Sequence, residues 1–349
     1  MPVLDTARLI ENRVQAIRNL HYESGQHRAE LDLSGGVDSA VMLGLLARAL
    51  GPENVTAIFL DINSNPDALK RAREVAETFD VSLIEFDGTQ LFNLLTETMT
   101  TAMVLAGYDP HVIANRVKTD PTIMGSIRST LRAPWGRAAN RLSGGGIRHG
   151  TGNEDEDRIL RFYQKGGDGE VDSNPISMLS KGETFQLARA LDVPRSILTA
   201  RPSPDLWGTG DQHNDEDEIA SYLGLSGRGQ VFYSYVSPDT GEYTSVGLIE
   251  RLSRFCDCFM PRQSGDAWVE VHKWLFDDEL GATGLDKVVE AAKNSLMFKG
   301  IDPKIVDTLL TNARRVERNT RHKLNPNCPA LGSRAELLRE KILTDVLPL

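Results

Sequence analysis

The sequence predicts an α/β fold: a doubly wound parallel sheet with flanking helices. Three observations carry that prediction. Between residues 29 and 87, short apolar runs alternate with amphipathic stretches in the order β-α-β-α-β. The second run, VTAIFLD at 55–61, is almost wholly apolar, as a strand covered on both faces should be. The first run opens into a Gly-Gly turn that leads straight into a helix-spaced segment. On such sheets, ligands gather at the carboxyl ends of the strands.

The elements follow in order. Leu4, Leu9, Ile10, Val14, Ile17 and Leu20 recur at helical spacing, so residues 4–20 predict an amphipathic helix. Residues 29–33 (AELDL) predict a strand, and a helix should run from Asp38 to Leu50. The strand at 55–61 is followed by a helix over 67–79, a strand over 81–87 and a helix over 90–106. Pro110 and Pro121 make 107–123 read as irregular, and Pro134 should disturb a helix over 124–142. Residues 143–157 read as a short strand and a polar turn, and 181–193 as a helix. Residues 201–218 read as a polar, Gly-containing loop that orders over a ligand. The stretch 226–295 is mixed, with VFYSYV and WVEVHKWLF as candidate strands, and the last strong helix falls near 303–322.

Composition narrows the function classes. The chain has 349 residues, with 39 Lys+Arg against 49 Asp+Glu and a formal net charge of −10. That balance argues against nucleic acid as a partner, because phosphate-backbone binding needs basic surface. No apolar run is long enough to span a membrane. The N-terminus lacks the apolar block of a signal peptide, so a cytoplasmic protein is expected. Cys256, Cys258 and Cys328 form no disulfide framework and no CxxC pair. The seven histidines show no HxxxH or HxH spacing, so no zinc is expected.

The chemistry starts at Ser34-Gly35-Gly36-Val37-Asp38-Ser39, between the first strand and the first sheet helix. Two glycines let the backbone approach an oxyanion, and the helix N-terminus aims its free N–H groups at the same place. Ser34 and Ser39 add hydroxyls. Asp38 would repel a phosphate unless a divalent cation bridges them. A plain Gly turn with a Ser/Asp helix cap is the competing reading. The hexapeptide resembles the PP-loop of the ATP pyrophosphatases, which cleave ATP between the α and β phosphates and adenylate a substrate.

The second half narrows the resemblance. GTGNEDED (150–157), FYQKGGDGEVDSNPI (162–176), LSKGETFQLA (179–188), RPSPDLW (201–207), DEDE (215–218) and ERNTRHKLNPNCP (317–329) occur in that order. Together they resemble the NAD synthetases of the ammonia-dependent type. The resemblance covers 30–90, 124–225 and 300–329. It implies an adenine nucleotide alpha hydrolase-like domain at 1–225 and 296–349, interrupted by an insertion at 226–295. It further implies Mg²⁺, ATP as co-substrate, and a homodimer with the dinucleotide at the subunit interface.

The implied reaction adenylates the carboxylate of nicotinic acid adenine dinucleotide (deamido-NAD); ammonia then displaces AMP. The resemblance assigns ATP to Ser34, Gly35, Gly36, Val37, Ser39, Thr151, Lys181 and Ser203. Asp38 becomes a Mg²⁺ ligand. The second ligand is Glu156 counted forward from Thr151 but Asp157 counted back from the GDG, because the chain carries one extra residue there; Glu156 is preferred. Asp168 is implied beside the incoming ammonia, and Asp38, Asp168 and Lys181 form the catalytic set. Lys165, Asp168, Asp172, His322 and Lys323 are implied as dinucleotide contacts, joined by Arg132 or Arg128 within GSIRSTLRA (125–133).

That arginine segment is one of four departures from the family pattern. The others are FLDINSNPDA (59–68), the insertion, and Leu-Asn after the His-Lys pair. They leave open an amide ligase for a different carboxylate. No glutamine-hydrolysing set of Glu, Lys and Cys is visible. The nitrogen donor should therefore be free ammonia, or ammonia delivered by a separate partner.

Overall fold

Four parallel strands frame the protein: β1 (Ala29–Asp32), β2 (Val55–Asp61), β3 (Leu83–Asp87) and β4 (Ile147–His149), in the order β3-β2-β1-β4. Ala29 stands opposite both Val55 and Ile147, and Ala57 opposite Leu83. The winding runs outward from β1 through β2 to β3, then returns to add β4 on the other side of β1. That reversal puts a crevice at the carboxyl ends of β1 and β4. The computed structural model describes residues 5–120, 122–203, 214–225, 230–259 and 281–324.

Helix α1 (Thr6–Ser24) starts at Asp5, whose side chain accepts from the Arg8 N–H, and ends at Gly25 in the left-handed region. Helix α2 (Val37–Leu50) is buried at nine of its first ten positions, Asp38 being the exception, as a helix between sheet and neighbours should be. With α3 (Pro66–Thr78) and α7 (Lys181–Ala190) it closes the main core around Leu31, Val41, Leu43, Val75 and Leu187. The strands and helices expected over 29–106 are present, with α4 at Thr89–Leu105.

Two proline readings are corrected. Residues 110–119 form helix α5 (Pro110–Thr119), not an irregular stretch. Pro110 sits in the first turn, where a missing N–H costs nothing, and Asp109 accepts from the His111 N–H. Helix α6 (Thr122–Leu142) runs straight through Pro134. Its buried face of Ser129, Ala133, Gly136 and Asn140 lies against the sheet, and that packing outweighs one lost hydrogen bond.

A second core gathers the C-terminal half. A π-helix (Glu154–Leu160), where a polar turn was expected, is followed by α7, the short α8 (Arg195–Leu198) and α9 (Asp215–Tyr222). Next come the antiparallel pair β5 (Tyr235–Val236) and β6 (Tyr243–Ser245), then α10 (Leu248–Phe259), α11 (Gly281–Lys293) and α12 (Pro303–Thr320). Only Tyr235 and Val236 of the expected VFYSYV strand are extended in a ladder; WVEVHKWLF lies outside the described residues. Ile159, Ile219, Tyr233, Leu252, Val289 and Leu309 share this core, so residues 230–259 and α11 pack with the π-helix and α12. Among the described residues, no helix is long and apolar enough to cross a membrane.

Candidate active site

The loop after β1 is built for close backbone approach. Gly35 has φ +76°, and a Cβ there would stand 2.3 Å from the Ala68 carbonyl oxygen, so only glycine fits. Ser34 Oγ accepts from the Gly36 N–H at 3.3 Å and shares a hydrogen bond with Ser39 Oγ at 3.1 Å. Ser39 Oγ also contacts the Gly36 carbonyl at 3.0 Å. Gly36 occupies the N-cap of α2 with no side chain over the helix end. The first N–H groups of α2 therefore point into the crevice, where positive helix potential favours an anion.

Three other segments converge on this loop. Lys181, the first residue of α7, donates to Asp38 Oδ2 at 2.6 Å and to Glu156 Oε1 at 2.7 Å. Asn153 Nδ2 holds Asp38 Oδ1 at 3.1 Å. Burial alone would lower the Lys181 pKa; the carboxylates of Asp38, Glu156 and Asp215 outweigh it and hold it well above the ordinary lysine value. Burial raises the Asp38 pKa against the pull of Lys181. Burial pushes Asp215 up to about 8, Lys181 again opposing. Asp38 and Glu156 share the Lys181 ammonium in a crevice that also presents anion-binding N–H groups, and Asp215 keeps its proton near neutral pH.

Glu156 and Asp157, the two sequence candidates for a second metal ligand, have different partners. Glu156 reaches the Asp38–Lys181 cluster. Asp157 turns away: its Oδ2 accepts from Asn174 Nδ2 at 2.8 Å, and a Cβ on Gly152 would lie 1.8 Å from that oxygen. Burial holds the Asp157 pKa well above the ordinary value. The extra residue of this segment is absorbed by the π-helix, which closes from the Arg161 N–H back to the Glu156 carbonyl, five residues earlier.

Ser34, Gly35, Gly36, Val37, Asp38 and Ser39 all line one cavity. Thr151, Glu156, Asp168, Lys181, Ser203 and Arg132 line it too. Arg128 does not; it is buried with its guanidinium 5.2 Å from the Phe92 ring centre. Asp168 Oδ1 accepts from Ser129 Oγ and from the Gln164 N–H at 3.2 Å. Four implied dinucleotide contacts lie outside the cavity lining. Asp172 pairs with Arg137 at 2.8 Å and accepts from the Arg148 N–H at 2.9 Å. Lys165 donates to the His322 carbonyl at 3.1 Å. Lys323 donates to the carbonyls of Arg161 at 2.8 Å and Tyr163 at 2.5 Å, closing the end of the π-helix. Of the 201–218 loop, residues 204–213 lie outside the described residues, and 215–222 are helix α9.

Sequence reasoning missed several cavity residues. Tyr233 comes from the presumed insertion, is fully buried, and donates to Glu156 Oε1 at 3.1 Å. Its ring centre lies 4.9 Å from Lys181 Nζ. Glu216 holds this loop by accepting from the N–H groups of Phe232 and Tyr233, both at 3.2 Å. The DEDE run was visible, but nothing in it told which acid faces the cavity. His149 was missed as well. His21 Nδ1 donates to the Gln26 carbonyl at 2.9 Å, so its Nε2 accepts from His149 Nε2 at 3.0 Å. Burial lowers the His149 pKa to about 3 and keeps the ring neutral. Beneath the loop, Arg148 of β4 pairs with Glu30 and, at 2.6 Å, with Asp32, both on β1. Gly136 makes room: a Cβ there would stand 1.8 Å from the Arg148 guanidinium.

A family model described as NAD synthase matches residues 9–228. The chain is 32% identical over 197 residues to an NH(3)-dependent NAD(+) synthetase of Methanococcoides burtonii, covering 56% of this chain and 68% of that one. It is 31% identical over 245 residues to an NH(3)-dependent NAD(+) synthetase of Carboxydothermus hydrogenoformans, covering 70% and 90%. In fold it is similar to NMN synthetase from Francisella tularensis, with a TM-score of 0.61 at 18% identity over 95% of this chain and all of that one.

Proposed function

The chain belongs to the NAD synthase family, and on that premise we propose that it makes NAD from deamido-NAD, ATP and ammonia, releasing AMP and pyrophosphate. The observation that carries the reading is the convergence of Asp38, Glu156 and Lys181 beside the α2 N-terminus, at the carboxyl ends of β1 and β4. A carboxylate is a poor electrophile, so its oxygen first attacks the α phosphorus of ATP. The bond to the β-phosphate oxygen breaks and pyrophosphate leaves. Ammonia then attacks the acyl carbon, loses a proton, and AMP departs.

The residues contribute position and charge. The α2 N–H groups with Ser34 and Ser39 hold phosphate oxygens, and Lys181 balances charge gathering on the departing pyrophosphate. Gly35, Gly36 and Val37 give the backbone access; Thr151 and Ser203, which line the same cavity, contact ATP. Asp168, already fixed by Ser129 and Gln164, holds ammonium and takes its proton. Arg132, the cavity-lining member of the arginine pair, faces the acceptor. Lys165, Asp172, His322 and Lys323, which lie outside the cavity lining, serve the dinucleotide.

The donor set fits Mg²⁺. Asp38 and Glu156 are hard oxygen ligands that share a single ammonium. Two carboxylates would leave the remaining positions of an octahedral ion to phosphate oxygens and water. Mg²⁺ held by Asp38 and Glu156 would neutralise the triphosphate.

A homodimer completes the reading. Helix α4 buries only Phe92 and exposes Leu91, Leu94, Leu95, Met99 and Leu105; α5 buries nothing. So large an apolar face favours cover by a second copy. We place the protein in the cytoplasm, using free ammonia or ammonia from a separate supplying partner. The test is turnover with ATP, Mg²⁺, deamido-NAD and ammonium chloride. NAD and AMP formed in equal amounts, and lost in Asp38→Ala, are expected. Absence of NAD while pyrophosphate forms on another carboxylic acid would overturn the acceptor.

A further inference from the structure

Glu156 receives both its donors on one oxygen. Lys181 Nζ at 2.7 Å and Tyr233 Oη at 3.1 Å both meet Oε1. Oε2 has no hydrogen-bond partner among the described residues, although Glu156 lines the cavity. Two donors on one oxygen fix the carboxylate's rotation and leave the other oxygen free to bind. Tyr233 is itself over-determined. It is fully buried, its ring packs against the Lys181 ammonium at 4.9 Å, and Glu216 holds its N–H at 3.2 Å. It also lies beyond residues 9–228, the stretch that carries the family match.

We propose that Tyr233 is a positioning residue for metal binding: by fixing Glu156 through Oε1 it keeps Oε2 available to the divalent cation. The proposal rests on the metal role given to Glu156 above. It assigns residues 230–259 a part in the site, with α9 as the bracket that holds the Tyr233 loop. The phenol gives up no proton in the reaction; its hydroxyl only donates.

The experiment titrates Mn²⁺ into the whole protein with an ATP analogue carrying a methylene between the α and β phosphates, reading free Mn²⁺ by electron paramagnetic resonance. Tyr233→Phe keeps the ring against Lys181 and removes only the donor. It should weaken Mn²⁺ by about tenfold, the value of one charge-assisted hydrogen bond. Its melting temperature and the KM for deamido-NAD should match wild type. Glu216→Gln should shift Mn²⁺ in the same direction, and Glu156→Gln sets the scale of full loss. Mn²⁺ affinity within threefold of wild type in Tyr233→Phe, with Glu156→Gln impaired, overturns the proposal. So does a uniform fall in every property together with the melting temperature. Wild-type turnover is run in parallel. Intact Mn²⁺ binding without NAD formation would sink the acceptor reading alone; NAD formation with Mn²⁺ binding unchanged in Tyr233→Phe would sink only the role of Tyr233.

Discussion

Glu30→Gln should remove a pH dependence that wild type carries. Glu30 is 1% exposed on β1, paired with Arg148 on the neighbouring strand. Burial raises its pKa from 4.5 to about 7, more than Arg148 can offset. Below 4.5, folded and unfolded chains both hold the proton and Glu30 costs nothing. As pH rises toward 7, the unfolded chain releases it while the folded chain keeps it, so stability falls. The loss is complete above about 7. At 1.36 kcal/mol per pH unit, the interval corresponds to ~3 kcal/mol. Glutamine can still accept from Arg148 but cannot ionise. The stability of Glu30→Gln relative to wild type should therefore rise by ~3 kcal/mol between pH 4.5 and 8. Acids remote from the Arg148 cluster titrate alike in both proteins and cancel. Urea unfolding of the two proteins in parallel, followed by tryptophan fluorescence, measures the difference. A change below about 1 kcal/mol across that range would refute the reasoning. Arg148 would then be holding Glu30 ionised throughout, with burial the smaller effect.

The other expectations lie closer to the site. Gly35→Ala places a Cβ 2.3 Å from a backbone oxygen at positive φ. It should cost about 2 kcal/mol or more and raise the KM for ATP; a variant as stable as wild type would show that the loop relaxes freely. Glu156→Gln should abolish the Mg²⁺ response of turnover, while Asp157→Asn, whose partner is Asn174, keeps most of it; the reverse order would return the metal role to Asp157. Leu94→Asp with Met99→Asp on the exposed face of α4 should convert a dimer into monomers by light scattering. A dimer of unchanged affinity would place the interface elsewhere.

The loop half of the candidate site was legible because its pattern is local. A phosphate loop needs a strand, small residues and a helix start in immediate succession, and all three are adjacent in the chain from Leu31 to Val41. The serines, glycines and Asp38 could be placed without knowing anything distant. The acids of 154–157 were legible only as a set. Helical periodicity assumes 3.6 residues per turn, and a π-turn moves each later side chain off that schedule. Counting from Thr151 and counting from Asp168 gave different answers because the turn between them holds one residue more than an α-helix would. In the fold the two acids have different partners: Glu156 meets Lys181, while Asp157 meets Asn174.

Proline misled for a related reason. Pro110 and Pro134 carry the same local penalty, but Pro110 falls where no N–H is needed and Pro134 where packing compensates. Gly136, two residues on, shows what that packing serves. Its missing side chain is filled by the Arg148 guanidinium, which pairs with Glu30 and Asp32 on the strand that leads into the phosphate loop. Helix α6 must pass there for the buried charges to be enclosed, and the proline is tolerated inside that requirement. Tyr233 was beyond reach for the opposite reason. Its neighbours Phe232, Ser234, Tyr235 and Val236 look like a strand, and a tyrosine in a strand is usually packing. Only the tertiary fold brings it to Glu156, 77 residues away, with Glu216 holding its backbone out of any ladder. A residue placed by two distant carboxylates leaves no pattern in its own neighbourhood, so removing one donor atom at Tyr233 tests the site where the sequence is silent.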